Sequence, residues 1–160
     1  MDNASALLPL LGVVVGGGIT FGIQYFVTNR QREWDEKKIK MDNYNKMKTQ
    51  KFTVFSQILY LDSKHNIAEW SMQFGYEFHE IKYNKYIRPV LYEIYHLLDE
   101  TIVNEIEKIE KILGRQRAHE EAEEFDNENL ITSYKKILEL IKEDFKDWRE
   151  FTKNEIMEIS

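Results

Sequence analysis

From Ala4 to Thr28 the chain carries no charged side chain, and from Asn29 onward charge is dense. That boundary constrains the fold more than any other feature. A hydrocarbon core about 30 Å thick is crossed by roughly 20 apolar residues in a helix, and residues 4–28 supply that length. A cleaved leader needs a basic start and a small-residue cleavage site. Here the start is Met1-Asp2-Asn3, which is acidic, and the run ends in Gln24-Tyr25-Phe26-Val27. The expectation is a retained transmembrane segment, 1–28, followed by a helical domain, 29–160. Arg30, Arg32, Lys37, Lys38 and Lys40 flank the run on its C-terminal side only. Positive charge stays inside, which predicts a single-pass protein of the bacterial inner (plasma) membrane with its N-terminus outside and its C-terminal domain cytoplasmic. A buried helix of a soluble protein is the competing reading, and the one-sided basic flank argues against it.

The run holds more small and polar residues than an anchor requires. At about 100° per residue, Gly12 and Gly16 share one face, and Gly18 and Gly22 share a second face about 120° away. Small-xxx-small pairs let helix backbones approach closely in lipid. A two-fold dimer uses one such face, whereas a ring needs two different ones because its subunits meet head to tail. Leu8, Val15, Ile19 and Phe26 lie between the glycine faces and suit lipid. Gly17, Thr20, Gln24 and Thr28 lie on the opposite side. Polar groups in a bilayer turn towards protein or water, so these four are the expected lining of a pore. Another oligomer and a lone anchor remain open: glycine is common in membrane helices, and one Gln can bridge a dimer. Pro9 falls near the outer end, where a helix can start or bend at little cost.

Beyond the run, periodicity predicts helices throughout and no strand. The first continues the membrane helix over 29–61 and turns apolar at Phe52, Phe55, Ile58 and Leu59, with Asp62-Ser63 as its stop. A second is expected over 64–74, near Gly75. Pro89 suits the first turn of a third, whose stripe is Leu91, Ile94, Leu98, Ile102, Ile106, Ile109 and Leu113, with Gly114 at its end. A last helix over 129–159 carries Leu130, Tyr134, Ile137, Leu138, Ile141, Phe145 and Trp148. The two long stripes suit antiparallel partners in a bundle. The fold class is therefore all-α, a single N-terminal transmembrane helix continuing into a cytoplasmic helical bundle. Among the eight aromatics of 70–95, most are expected in the core and some at a subunit interface.

Charge is segregated. Residues 29–51 carry eight basic side chains against four acidic, net +4, and residues 99–128 carry four against eleven, net −7. The basic stretch can meet anionic lipid headgroups, and the acidic one the basic stretch of a neighbouring copy, although two solvated faces explain most individual charges.

The chain has no cysteine, which excludes disulfide, thiolate and iron–sulfur chemistry. His65, His79, His96 and His119 show no metal-binding spacing, so no metal or other cofactor is expected. Phosphate loops and nucleophile elbows are absent; "VVVGGGITFG" lacks the Gly-Lys-Ser/Thr ending. The one catalytic candidate is "RQRAHEE", with Arg115 and His119, because an Arg and a His on one helix can stabilise a phosphorane and move protons. Glu120, Glu121, Glu123 and Glu124 follow directly, a field that repels a nucleic-acid backbone. Ion pairing at a solvated helix terminus is the plainer account, and no direct nucleic-acid binding is expected.

One N-terminal membrane helix, N-out, joined to a small all-helical cytoplasmic domain resembles the small membrane accessory proteins encoded beside the RNA-guided RNase of type VI-B CRISPR systems. That family is described as divergent HEPN-like and pore-forming. The resemblance covers the whole chain in architecture, not in motif: HEPN chemistry requires R-x(4–6)-H, Arg115-x(3)-His119 is one residue short, and Arg88-x(7)-His96 is one too long. No catalytic residue carries over. The resemblance implies anti-phage defence by membrane permeabilisation, functionally coupled to an RNA-guided RNase. The expected function is thus a homo-oligomeric ring or pore in contact with membrane lipid. The alternatives are a membrane-tethered helical scaffold that recruits a cytosolic partner and a membrane-anchored HEPN-like RNase.

Overall fold

The computed structural model describes residues 4–71, 75–119 and 121–159, and the side chains from Gln24 onward apart from 26, 71, 155, 156, 158 and 159. The chain divides into two units, Met1–Lys46 and Met47–Ser160. Helix α1, Ala4–His65, runs through the first and into the second without a break. No Gly or Pro interrupts it after Gly22. It stops at Asn66, which takes the left-handed φ of 49° and returns its N–H to the Asp62 carbonyl at 2.8 Å. Asn is among the residues that tolerate this helix-ending conformation.

The expected second helix over 64–74 is replaced by a hairpin, and with it the expectation of no strand is corrected. Strand β1, Ala68–Ser71, pairs antiparallel with β2, Gly75–Phe78, with Trp70 opposite Tyr76 and Ala68 opposite Phe78. Gly75 accepts a φ of +73° that a side chain would resist. Each strand is only four residues long, too short for alternation to stand out from helical spacing. Asn127 closes the outer edge of β2: its Oδ1 accepts from the Phe78 N–H at 2.9 Å, and its Nδ2 donates to the Tyr76 carbonyl at 2.8 Å.

A helical turn α2, Glu80–Lys82, and a π-helical turn, Tyr83–Ile87, lead into α3, Arg88–Glu93. The third helix expected from Pro89 is in fact two. After a 3-10 turn, Tyr95–Leu97, Leu98 is extended at φ −78° and ψ 146°, and α4 restarts over Glu100–His119. The Asp99 carbonyl opens α4 by accepting from Val103 N–H at 3.0 Å. The last helix, α5, starts at Asp126 and reaches Ile159.

The second unit is built around α5. Arg115 meets Asp126 near one end of α4, and Lys51, beside Asp99 at the other end, reaches Asp144, so the two helices run antiparallel. The end of α1 is also antiparallel to α5, since the Phe52 and Phe145 rings lie 5.1 Å apart, tilted to one another, while Tyr134 donates to Asp62 at 2.8 Å. The core holds Phe55, Ile58, Leu91, Ile94, Ile102, Ile106, Ile109, Leu113, Leu130, Tyr134, Ile137, Leu138 and Ile141, as the apolar stripes predict. Leu98 and Phe145 are only partly buried, and Trp148 stays 36% exposed.

Gly114 lies inside α4 rather than at its end, and a Cβ there would meet nothing within 4 Å. Gly114→Ala is therefore expected to stabilise the protein by roughly 0.5–1 kcal/mol, seen as a higher urea midpoint at unchanged slope.

The architecture is mostly helical, as expected, with one small hairpin. Among the described residues, no helix is long and apolar enough to cross a membrane. The apolar run contributes only its helical backbone up to residue 23.

Candidate functional site

The N-terminal unit carries most of the residues that the sequence singles out. Gly12, Gly16, Gly17, Gly18, Thr20 and Gly22 lie on a helical backbone, and their surroundings fall outside what the structure describes. Gln24 and Thr28 are described and exposed. The Thr28 hydroxyl donates to the Gln24 carbonyl at 2.7 Å, which satisfies it within the helix and suits an apolar surrounding. The Gln24 side chain is likewise on the exposed surface of the helix. Arg30, Arg32, Lys37, Lys38 and Lys40 are all exposed, and among the described residues none closes an ion pair, so their charge is available to a lipid headgroup or another chain.

The basic stretch does not end as one uniform surface. Lys51 bridges Asp99 at 2.7 Å and Asp144 at 2.8 Å. Burial opposes its charge, but the hydrogen bonds to Asp144 and Asp99 outweigh burial and raise its pKa. Lys48 sits 3.6 Å from the centre of the Trp148 ring. One member of the acidic stretch, Asp99, thus finds its basic partner in its own chain.

Arg115, the basic half of the catalytic candidate, is engaged in the turn that joins α4 to α5. Its guanidinium binds Glu123 at 2.6 Å and also Asp126. Asp126 is 2% exposed and accepts from Gln116 Nε2 at 2.9 Å and from the Glu123 backbone N–H at 3.0 Å. Burial would raise the Asp126 pKa, yet the hydrogen bonds from Gln116, the Glu123 N–H and Arg115 together hold it below the usual carboxylate range. His119 is exposed on the last residue of α4, one turn beyond Arg115. A guanidinium held by two carboxylates has little left for a phosphate; this geometry fixes a turn. The second Arg/His pair is split likewise, with Arg88 bound to Glu110 at 2.7 Å and His96 exposed.

An open groove of about 650 Å³ runs along the α4–α5 seam beside this turn, with Lys111, Arg115, Phe125, Ser133 and Lys136 among its walls. Its cations are largely committed: Lys108 pairs with Glu105 at 2.7 Å and Lys136 with Glu139 at 3.8 Å. Among the described residues, no three His, Asp or Glu side chains come together as a metal site.

Asp126 had no sequence signal that singled it out, whereas the aromatics of 70–95, expected mostly in the core, are buried only at Phe78 and Tyr83 among the described residues. Asp126 is the hub of the α4–α5 turn, and only its place before an apolar run hinted at a helix start. Trp70 and Tyr76, opposed in the hairpin, are 57% and 47% exposed, and Lys135 Nζ lies 3.2 Å from the centre of the Tyr76 ring. Compared with protein-family models, curated proteins and solved structures, the chain has no significant match.

Proposed function

We propose that this chain is a single-pass membrane protein that assembles through its N-terminal helix into a ring or pore, with its helical bundle on the cytoplasmic side. The observation that carries the reading is the continuity of α1. One helix, Ala4–His65, joins the charge-free run to the basic stretch and then to the bundle core. Helical geometry satisfies every backbone group across a bilayer, the basic flank sets the orientation, and two small-residue faces permit the head-to-tail contacts of a ring. Gln24, Thr20, Thr28 and Gly17 then line the axis. By its architectural resemblance to the type VI-B accessory proteins, the ring serves anti-phage defence by permeabilising the membrane, coupled to an RNA-guided RNase.

The test is the mass of the detergent-purified full chain together with dye release from liposomes. The expected results are an oligomer larger than a dimer, leakage, and loss of both in Gly16→Leu and Gly18→Leu with helicity intact. A monomer or dimer at high concentration overturns the reading.

The exposed Trp70–Tyr76 pair favours a second reading, a tethered scaffold that recruits a cytosolic partner. In that case residues 29–160 keep their function on an unrelated anchor. The carboxylate clamp on Arg115 weighs against the third, a membrane-anchored RNase, which unchanged activity in the Arg115→Ala, His119→Ala double variant would end.

A further inference from the structure

From the end of the charge-free run onward, α1 presents an exposed apolar stripe. Val27, Trp34 and Met41 follow one another at intervals of seven residues and are 56%, 72% and 59% exposed. At about 100° per residue they fall on the same face as Gly12 and Gly16, all five within roughly 60°. Arg30 and Lys37 border this stripe. The other glycine face, that of Gly18 and Gly22, continues as Asn29, Glu33, Glu36 and Lys40, again within roughly 60°. One face leaves the membrane segment apolar and basic, and the other leaves it polar with two carboxylates and one amine.

Among the described residues, these charges form no ion pair within the chain. Glu33–Lys37 and Glu36–Lys40 have the i,i+4 spacing that suits an intrahelical ion pair. Elsewhere in the protein an i,i+4 spacing is used, as in Lys146–Glu150 at 4.0 Å, and an i,i+3 spacing in Glu105–Lys108 at 2.7 Å. Among the described residues, neither Glu33–Lys37 nor Glu36–Lys40 closes, and all four side chains are exposed. Lipid does not account for the far end of the stripe either. At about 1.5 Å per residue, Met41 stands roughly 20 Å along the helix from Thr28, whereas the headgroup layer adds only about 5–8 Å to each side of the hydrocarbon.

We infer that the basic apolar face (Arg30, Trp34, Lys37, Met41) packs against the acidic face (Glu33, Glu36) of a second copy of this chain, extending the assembly contact beyond the membrane. The inference rests on the ring reading above and names the contact that makes it directional. Copies that leave one membrane at one depth hold residues 30–41 at the same height. Arg30 and Lys37 of one subunit then meet Glu33 and Glu36 of the next, and the contact repeats in one sense around the ring, as a head-to-tail interface requires. The same charges disfavour a two-fold dimer, which would place Arg30 and Lys37 against their own copies.

Charge reversal in the full-length protein tests this. Glu33→Lys with Glu36→Lys, or Arg30→Glu with Lys37→Glu, is expected to weaken assembly at least tenfold, and all four changes in one chain to restore it. Circular dichroism of each variant reports whether it is folded. Because the chain has no cysteine, a mixture of Lys37→Cys and Glu33→Cys proteins supplies a second measurement. A disulfide-linked dimer is expected in the mixture and not in either protein alone. Cross-linking of Lys37→Cys with itself overturns the inference, as does a wild-type oligomer indifferent to charge reversal, and both leave the ring reading standing. A monomeric wild type overturns the two together.

Discussion

Tyr134→Ala is expected to remove about 3–5 kcal/mol of stability, a large part of the roughly 5–15 kcal/mol typical of a single domain. The ring is fully buried on α5 and touches three other parts of the second unit. It lies edge-on to Phe78 of the hairpin at 5.9 Å and to Tyr83 of the π-helical turn at 6.2 Å, and its hydroxyl donates to Asp62 of α1 at 2.8 Å. Truncation leaves a cavity where these elements converge, and none of them can fill it alone. Tyr134→Phe keeps the ring and loses only the hydrogen bond, at a cost of about 1 kcal/mol. Urea unfolding of both variants separates the packing contribution from the polar one, and equal losses would show that the bond to Asp62 dominates instead.

The same pair of tyrosines predicts a steep alkaline limit. Burial pushes the Tyr83 hydroxyl well above its ordinary value, reinforced by the Glu110 carboxylate, and burial with Asp62 does the same for Tyr134. Below pH 10 both are protonated whether the chain is folded or not, and their contribution is fully present. Above it the unfolded chain ionises first, so stability falls by about 1.4 kcal/mol per pH unit for each tyrosine. From pH 10 to 12 the pair together costs about 5 kcal/mol by the same relation. Lys51 acts in the same direction. Its raised pKa means that its bridge to Asp144 and Asp99 stabilises the fold below pH 10.5 and is lost as pH rises through the folded value. Urea midpoints measured between pH 8 and 12 are expected to fall along this course, with a shallower slope in the Tyr83→Phe, Tyr134→Phe double variant. An unchanged slope in that variant would assign the loss to other groups. At neutral pH, Tyr83→Phe is expected to be nearly neutral, since the buried Tyr83 hydroxyl has no hydrogen-bond partner among the described residues.

The bundle was legible because burial follows helical periodicity closely. Ile102, Ile106, Ile109 and Leu113 mark α4, Leu130 to Ile141 mark α5, and each is buried. Breaks were harder to read. The stripe runs straight through Leu98, so periodicity alone cannot detect that the backbone there is extended. Gly114 looked like a terminus, yet its neighbours favour a helix strongly enough to carry α4 on to His119. The hairpin was missed because four-residue strands give alternation no room, and because the partner that completes them, Asn127, lies about fifty residues away in sequence. At the candidate site, the sequence paired Arg115 with His119 by proximity along the chain. The guanidinium instead turns to Glu123 and Asp126 across the loop, a preference set by three-dimensional packing.

The Asn127 amide has a consequence for how the protein behaves among its own copies. Tyr76 and Phe78 point their backbone groups away from β1, and an amide side chain offers one acceptor and one donor in the arrangement of a peptide unit. Asn127 therefore occupies the place of a third strand. An open strand edge beside exposed aromatics invites pairing with another chain; along β2, one side chain fills that template.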